Sequence, residues 1–342
     1  MTTPFLEVRD LHVNFPTPDG MVKANQGISF TVARGETLAI VGESGSGKSV
    51  STLAVMGLHN RKVARITGQA ILNLEGGPVD VIAASESEVR KLRGKQMAMI
   101  FQDPMSSLHP YYTIGDQLSE AWRLHNHGSK RDGLKRAVEM LDIVGIPGAA
   151  KRAKDYPHQF SGGMRQRAMI AMALINNPAL LIADEPTTAL DVTVQSQILQ
   201  LLRDLQRDFN TAIVLITHDL GVVAELSDRV NVMYAGRIVE QATIDDVFYK
   251  PMMPYTMGLL ESIPRVDRGS GGRLRAIPGQ PPSLIVLPKG CSFEPRCHLK
   301  HQVVDGRCQS QLPDLEEVMP GHFGRCHLSP EALTLAHVEG VR

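Results

Sequence analysis

The residues Gly42-Glu43-Ser44-Gly45-Ser46-Gly47-Lys48-Ser49 set three glycines, a lysine and a hydroxyl in the spacing G-x-x-x-x-G-K-S. Glycines let successive backbone N–H groups turn inward, where a Cβ would block the path, and so form a nest for phosphate oxygens. Lys48 adds a cation for β- and γ-phosphates, and the Ser49 hydroxyl offers a hard oxygen to Mg²⁺. Ser44, Gly45, Ser46, Gly47, Lys48, Ser49 and Val50 are therefore candidate nucleotide-binding residues. A plain Gly/Ser-rich turn would share the composition but not the setting. Thr37-Leu38-Ala39-Ile40-Val41 reads as a buried strand and Ser49 to Leu58 as a helix, the strand–loop–helix context that this motif requires.

A second group of residues could do chemistry on a bound phosphate. Leu180-Leu181-Ile182-Ala183-Asp184 is a short apolar run ending in acid, the pattern that holds Mg²⁺ beside a phosphate loop. Glu185 follows directly, placed to orient or deprotonate an attacking water. Ile213-Val214-Leu215-Ile216-Thr217-His218 is another buried run, here ending in histidine, and Met97-Ala98-Met99-Ile100-Phe101 ends at Gln102. Ser161-Gly162-Gly163 is a small-residue turn opening the helical pattern Arg165 to Asn176, so it presents free N–H groups and the positive end of a helix dipole to an anion.

In this order the motifs resemble those of ATP-binding cassette (ABC) ATPases. Phe160-Ser161-Gly162-Gly163-Met164-Arg165-Gln166-Arg167 is similar to the family's signature L-S-G-G-Q, with Phe160 for leucine and Met164 for glutamine. The resemblance implies an α/β P-loop fold with a parallel α/β core, an antiparallel β-lobe and a helical subdomain. It also implies roles. Gln102 would sense Mg²⁺ and the attacking water, joining Ser49 and Asp184 around the metal. His218 would contact the γ-phosphate and Phe15 would stack on adenine. Ser161, Gly162 and Gly163 would close over ATP held by an opposite subunit, and Ala189-Leu190-Asp191 would cross to that subunit.

Several elements must position these groups. Residues 5–41 alternate short strands with turns such as Pro16-Thr17-Pro18-Asp19-Gly20, which predicts an antiparallel lobe feeding the phosphate-loop strand. Buried strands over about 92–102, 179–185 and 212–218, separated by helical patterns, predict the parallel core. Between Asp103 and Pro157 lies a mostly helical insert, with Leu134, Val138, Leu141 and Val144 at amphipathic spacing. The expected organisation is a nucleotide-binding domain over 1–250, with its helical subdomain at about 103–165, and an extension over 251–342. The 342 residues carry no net formal charge, so nothing suggests a nucleic-acid footprint. No apolar run reaches the length of a membrane span, and the N-terminus lacks the basic and apolar segments of a signal peptide.

After Lys250 proline and glycine cluster, and regular structure is expected to be sparse. All four cysteines lie in this tail: Cys291, Cys297, Cys308 and Cys326, with five, ten and seventeen residues between them. In a cytosolic chain that concentration argues against disulfides and for metal. Four thiolates can close a zinc site or hold an iron–sulfur cluster. The lack of paired C-x-x-C spacing favours the cluster, while His298, His301, His322 and His327 leave a mixed zinc site open.

The tail sharpens the resemblance. Pro254-Tyr255-Thr256 with Leu259-Leu260, Pro264-Arg265, Ile277-Pro278-Gly279 and Cys291-x5-Cys297 look like the extension of oligopeptide/dipeptide transporter ATPases. The phosphate-loop wording through Val50 and the run Asp103-Pro104-Met105-Ser106-Ser107-Leu108 point the same way, with His109 where that family more often has asparagine. The resemblance implies an ATPase subunit of a di-/oligopeptide importer, peripheral on the cytoplasmic face of the inner membrane. Its cofactors would be ATP, Mg²⁺ and a four-iron four-sulfur (4Fe-4S) cluster on the four cysteines, with zinc the alternative. Its partners would be a second, paralogous ATPase subunit making a heterodimer, two transmembrane permease subunits and, indirectly, an extracytoplasmic peptide-binding protein. ATPases of nickel or other small-solute importers have similar sequences. A soluble ABC ATPase acting on DNA or ribosomes would bring a coiled-coil insertion, a second cassette or a basic face, none of which is visible. An iron–sulfur redox sensor with a secondary ATPase is the remaining rival.

Overall fold

The computed structural model describes residues 3–103, 107–188, 191–262 and 276–341. Pro104-Met105-Ser106, Ala189-Leu190 and Pro264-Arg265 lie outside these. Among the described residues twelve strands form two sheets. Strands β1 (Leu6–Thr17), β2 (Gly20–Val32), β4 (Arg65–Leu74) and β5 (Gly77–Asp80) make a four-stranded antiparallel sheet in the order β2-β1-β4-β5. The lobe expected over 5–41 is thus completed by two strands from beyond the phosphate loop.

The second sheet has eight strands. It contains β3 (Thr37–Val41), β6 (Met97–Ile100), β7 (Leu180–Asp184), β8 (Ala212–Ile216), β9 (Arg229–Tyr234), β10 (Arg237–Thr243), β11 (Glu316–Met319) and β12 (His322–Gly324), in the order β11-β12-β10-β9-β3-β8-β7-β6. From β9 through β6 the ladder is parallel, and β10, β12 and β11 join antiparallel. The run expected to be strand from about 92 begins later, because a helix, Glu86–Leu92, capped by Ser85 and Glu88, precedes β6.

Alternation along the central strands explains why they read as unbroken apolar runs. Leu181, Ala183, Ile213 and Leu215 face one core with Ala98 and Ile100, packed under the helices of the insert. Leu180, Ile182, Val214 and Ile216 face a second core shared with the β-lobe residues Leu6, Val8, Ile28 and Leu72. Successive side chains point to opposite faces of a strand, so a sheet covered on both sides needs apolar residues at every position.

The insert comprises the helices Ile114–Arg123, Lys130–Ile143 and Ala149–Arg152. In the second of these the buried positions are Gly133, Ala137, Met140 and Leu141, while Leu134 and Val138 are only partly covered. Leu141 and Val144 of the expected stripe are buried and Val138 packs against the core, and the stripe widens toward Gly133, Ala137 and Met140.

The tail holds more regular structure than its composition implies. Pro254 starts the helix Pro254–Glu261, where its missing N–H is no loss, β11 and β12 extend the main sheet, and a helix spans Pro330–Val341. Among the described residues no helix is long and apolar enough to cross a membrane.

Candidate nucleotide-binding and hydrolysis site

The phosphate loop joins β3 to the helix Lys48–Val55. Two of its glycines are compelled by space. A Cβ on Gly42 (φ 148°) would stand 2.2 Å from the Met233 carbonyl oxygen, and one on Gly47 (φ 102°) 2.3 Å from that of Ala24. Asn25, fully buried, donates to the Gly47 carbonyl at 3.0 Å. Lys48 is buried and curls back on the loop, donating to the carbonyls of Gly42 (2.7 Å) and Glu43 (3.0 Å). Burial lowers the Lys48 pKa, opposed by the negative charges of Glu185, Asp184 and Glu43. Ser46 Oγ is buried without a partner among the described residues. An unpaired hydroxyl and a lysine satisfied only by loop carbonyls make a cradle suited to an anion.

At the mouth of this cradle Ser49 Oγ donates to Asp184 Oδ1 at 3.1 Å. Burial pushes the Asp184 carboxyl up, and the adjacent Glu185 adds to this, while Ser49 and Lys48 work against it. A hydroxyl and a carboxylate side by side are the hard oxygens that Mg²⁺ takes when it binds with phosphates. This pair fits that ion.

Glu185 is the hub of the site. Its Oε2 accepts from Gln102 Nε2 (2.8 Å) and Thr188 Oγ1 (2.9 Å), and its Oε1 lies 3.0 Å from His218 Nδ1. Its backbone is left-handed (φ 48°), a strained state for a residue with a Cβ, and is held by the Glu185 N–H donating to the Ile216 carbonyl at 2.8 Å. Burial pushes the Glu185 carboxyl up, but the hydrogen bonds from His218 and Thr188, with the charge of Lys48, outweigh it and leave the pKa lowered. Three residues picked from separate strand ends, Gln102, Glu185 and His218, therefore meet on one carboxylate.

The Ser-Gly-Gly turn does not join them. Ser161 caps the helix Gly162–Leu174 by accepting from the Met164 N–H, and Ser161 and Gly162 lie exposed, with open space around Gly162. The helix behind the turn is tied to the strand end instead, through Gln166 Nε2 donating to the Pro186 carbonyl at 2.5 Å. A Cβ on Gly163 would stand 3.0 Å from Val194 Cγ1. Phe15 is half-buried against the lobe core, and its ring meets His59 edge-on with centroids 5.4 Å apart. His59 Nε2 in turn lies 2.8 Å from the Val50 carbonyl. Of the loop expected to cross to a partner only Asp191 is described, capping the helix Val192–Phe209. The His109 ring lies tilted against that of Tyr112, centroids 4.7 Å apart, and Tyr111 and Tyr112 are exposed beside it.

The four cysteines are free thiols gathered in one region. Cys291, Cys297 and Cys326 pack against the cluster that holds Tyr234, Tyr255 and Phe293, and the Cys291 N–H donates to the Cys308 carbonyl at 2.9 Å. Burial pushes all four up, Cys297 to about 11 and Cys326 to about 12, and each of these two would also feel charge on Cys291 and Cys308. Backbone N–H groups aim at the sulfurs: those of Phe293 and Glu294 at Cys291, of Leu299 and Lys300 at Cys297, and of Leu328 at Cys326. Three of the four sulfurs, those of Cys291, Cys297 and Cys326, thus carry backbone N–H donors, of the kind that iron–sulfur ligation draws on. Two of the four histidines are engaged elsewhere. His322 is sealed against Glu240 at 2.7 Å, and His327 Nε2 lies 2.9 Å from the Gln311 carbonyl. Among the described residues no three His, Cys, Asp or Glu side chains are grouped to hold a single metal ion.

Sequence reasoning missed Asn25, Thr188, Glu240 and Arg296. Asn25 and Glu240 stand in strands that carry several other polar residues, so nothing in the local sequence marks these two as buried.

Comparison with known proteins agrees with this geometry. A family model described as ABC transporter matches residues 25–188, from Asn25 to Thr188 but short of His218, and together with the relatives below makes the chain an ATP-binding cassette ATPase. A second model, oligopeptide/dipeptide transporter C-terminal region, matches residues 239–303. The oligopeptide transport ATP-binding protein OppD of Salmonella typhimurium is 52% identical over 328 residues, covering 96% of this chain and 95% of that protein. The protein of the same name from Haemophilus influenzae is 52% identical over 332 residues, covering 97% and 99%. Among solved structures, the dimeric post-hydrolysis state of the ATP-binding cassette MJ0796 bound to ADP and Pi superposes with a TM-score of 0.61 at 26% identity, over 70% of this chain and 98% of that one. The structure of cbiO1 from Clostridium perfringens gives 0.60 at 28%, over 72% and 91%. The chain belongs to the family of ATP-binding proteins of oligopeptide/dipeptide transporters.

Proposed function

We propose that this chain hydrolyses ATP to drive import of di- and oligopeptides, as one of two ATPase subunits beneath two membrane permeases fed by an extracytoplasmic binding protein. The observation that carries this reading is the 2.8 Å bond from Gln102 to Glu185. Gln102 stands where the main sheet gives way to the helical insert, the part that would dock on a permease through the exposed Tyr111 and Tyr112. A movement of the insert is thereby transmitted to the carboxylate beside the phosphates. The peptide cargo rests on the names of the relatives and on the C-terminal family match.

The steps follow from the residues. The phosphate-loop N–H groups and Lys48 take the β- and γ-phosphates, Lys48 exchanging its loop carbonyls for phosphate oxygens, and Phe15 covers the adenine. Mg²⁺ held by Ser49 and Asp184, with Gln102 at its margin, would neutralise phosphate charge. The exposed Ser161-Gly162-Gly163 turn closes over ATP on the opposite subunit. Glu185, ionised because its pKa is depressed, takes a proton from the water that attacks the γ-phosphorus, and the ADP oxygen leaves. His218 holds the γ-phosphate side of that geometry. ADP and phosphate then repel and the two subunits part, resetting the permeases.

The organisation in this reading is a nucleotide-binding domain over 1–250 with its helical subdomain at about 103–165, and an extension over 251–342 stapled by a 4Fe-4S cluster on Cys291, Cys297, Cys308 and Cys326. Zinc on the same thiols is the alternative. The chain would act at the cytoplasmic face of the membrane.

Coexpression with candidate permease and paralogue subunits, followed by reconstitution in vesicles with the binding protein, tests the reading. ATP turnover stimulated by peptide supports it. Stimulation by nickel but not peptide would replace the cargo, and turnover indifferent to permeases would end the transport assignment.

A further inference from the structure

The turn Glu294–Arg296, directly before Cys297, sends a side chain back to the nucleotide site. The Arg296 guanidinium grips the Glu43 carboxylate with both ends of its fork, Nη1 to Oε2 at 2.6 Å and Nη2 to Oε1 at 2.9 Å. Glu43 is the second residue of the phosphate loop. Its N–H donates to Tyr255 Oη at 2.8 Å, and its carbonyl is one of the two that hold Lys48. Arg296 is fixed from behind as well: Nε donates to the Pro278 carbonyl at 2.8 Å and Nη1 to Tyr234 Oη at 3.3 Å. Its side chain is only 4% exposed. The pairing with Glu43 raises its pKa further, so the cation is permanent. Two tail residues, Tyr255 and Arg296, thus hold one residue of the phosphate loop by its backbone and by its charge.

The charge matters because of where it sits. ATP brings a strongly negative triphosphate into a loop whose own Glu43 is an anion. In surroundings less polarisable than water, an unpaired carboxylate on the loop that receives the phosphates opposes that arrival. A bidentate guanidinium cancels the charge and fixes the carboxylate in one geometry, which a single ammonium cannot do.

We infer that Arg296 is a positioning residue for ATP, which neutralises Glu43 and holds the phosphate loop in its binding shape, so that the tail sets nucleotide affinity. This requires only that the loop binds ATP and does not depend on which metal the cysteines take.

The test is the affinity of the full-length chain for Mg-ATP, read by displacement of a fluorescent nucleotide, with KM and kcat for ATP in the assembled transporter. Arg296→Gln leaves Glu43 bare, and Kd and KM should rise about tenfold or more while kcat at saturating ATP stays within about threefold. Glu43→Gln removes the repulsion at its source, so Glu43→Gln with Arg296→Gln should recover most of the lost affinity. A role in packing alone could not produce that rescue. Arg296→Lys keeps the charge without the fork and should fall between. Wild-type affinity in Arg296→Gln overturns the inference, as does a folded double variant no tighter than Arg296→Gln. Should Arg296→Gln fail to fold, a Kd for Arg296→Lys equal to that of the wild type, with Glu43→Gln also unchanged, would overturn it equally.

Discussion

Gln102 and Glu185, 83 residues apart in the chain, share a 2.8 Å hydrogen bond at the ends of neighbouring strands β6 and β7. With Thr188 and His218 also on the carboxylate, its oxygens already face three partners before nucleotide arrives. A carboxylate has about four acceptor sites, so one is left for the attacking water, and a movement of Gln102 with the insert would free another.

Replacing Glu185 with Gln keeps the shape of the hub and removes the base. ATP binding should persist while hydrolysis falls by about 10²–10⁴-fold, equivalent to about 3–5 kcal/mol of barrier. The assembled complex should accumulate with ATP bound, which equilibrium binding and single-turnover assays would detect. Near wild-type turnover would remove Glu185 from its role.

The depressed Glu185 pKa gives a pH signature. A carboxyl with lowered pKa stays ionised until the pH falls through that value, so activity that needs the anion is kept above it and lost below it. Thr188→Val removes one donor to the carboxylate without touching Gln102 or His218. The acid limb of the kcat profile should then move to higher pH, and an unmoved limb would assign it to a different group.

Gly162 has open space on its outer side, so Gly162→Asp should fold normally. The new carboxylate would face the γ-phosphate bound by the opposite subunit and oppose closure by like-charge repulsion. ATP binding by the isolated chain should survive while hydrolysis by the complex falls. Parallel loss of both in a folded variant would contradict action across the interface.

Anaerobically purified protein should be brown and carry about four irons and four labile sulfides per chain. The raised thiol pKa values mean that ligation must release protons, so loading should weaken as pH falls. Cys297→Ser should lose most of the iron and make the tail easier to proteolyse. One zinc without sulfide would replace the cluster with a zinc staple, and metal-free protein with a protease-resistant tail would end both readings.

What could be read in the sequence was whatever lies within a few consecutive residues. The phosphate loop, the acid pair Asp184-Glu185 and the Ser161 cap each carry their chemistry in a contiguous stretch, so their surroundings could be inferred from neighbours. Gln102 and His218 are single polar residues at strand ends, and only their order along a familiar series pointed to them. Glu43–Arg296 joins residues 253 apart, with no period or motif to connect them. The lobe strands β4 and β5 escaped notice because they follow the phosphate loop in the chain, yet β4 pairs back onto β1 before it and β5 onto β4. Of the stripe expected in the helix Lys130–Ile143, Leu141 and Val144 are buried and Val138 packs on the core, while Gly133 and Ala137, too small to stand out in an apolar pattern, take the other crowded positions.

Strand β12 pairs with β10 through Glu240 and Gln241, opposite Gly324 and Phe323, and Glu240 is sealed against His322, both wholly buried. A chain cut after Lys250 would therefore not be a smaller version of the same ATPase. It would bare the outer hydrogen-bonding row of β10 as an unprotected sheet edge, with the Glu240 carboxylate stripped of its histidine. Such an edge invites pairing with the same edge of another molecule, and aggregation follows from that. The tail is in this sense a guard on the margin of the sheet, and attempts to isolate the catalytic portion should keep residues through β12.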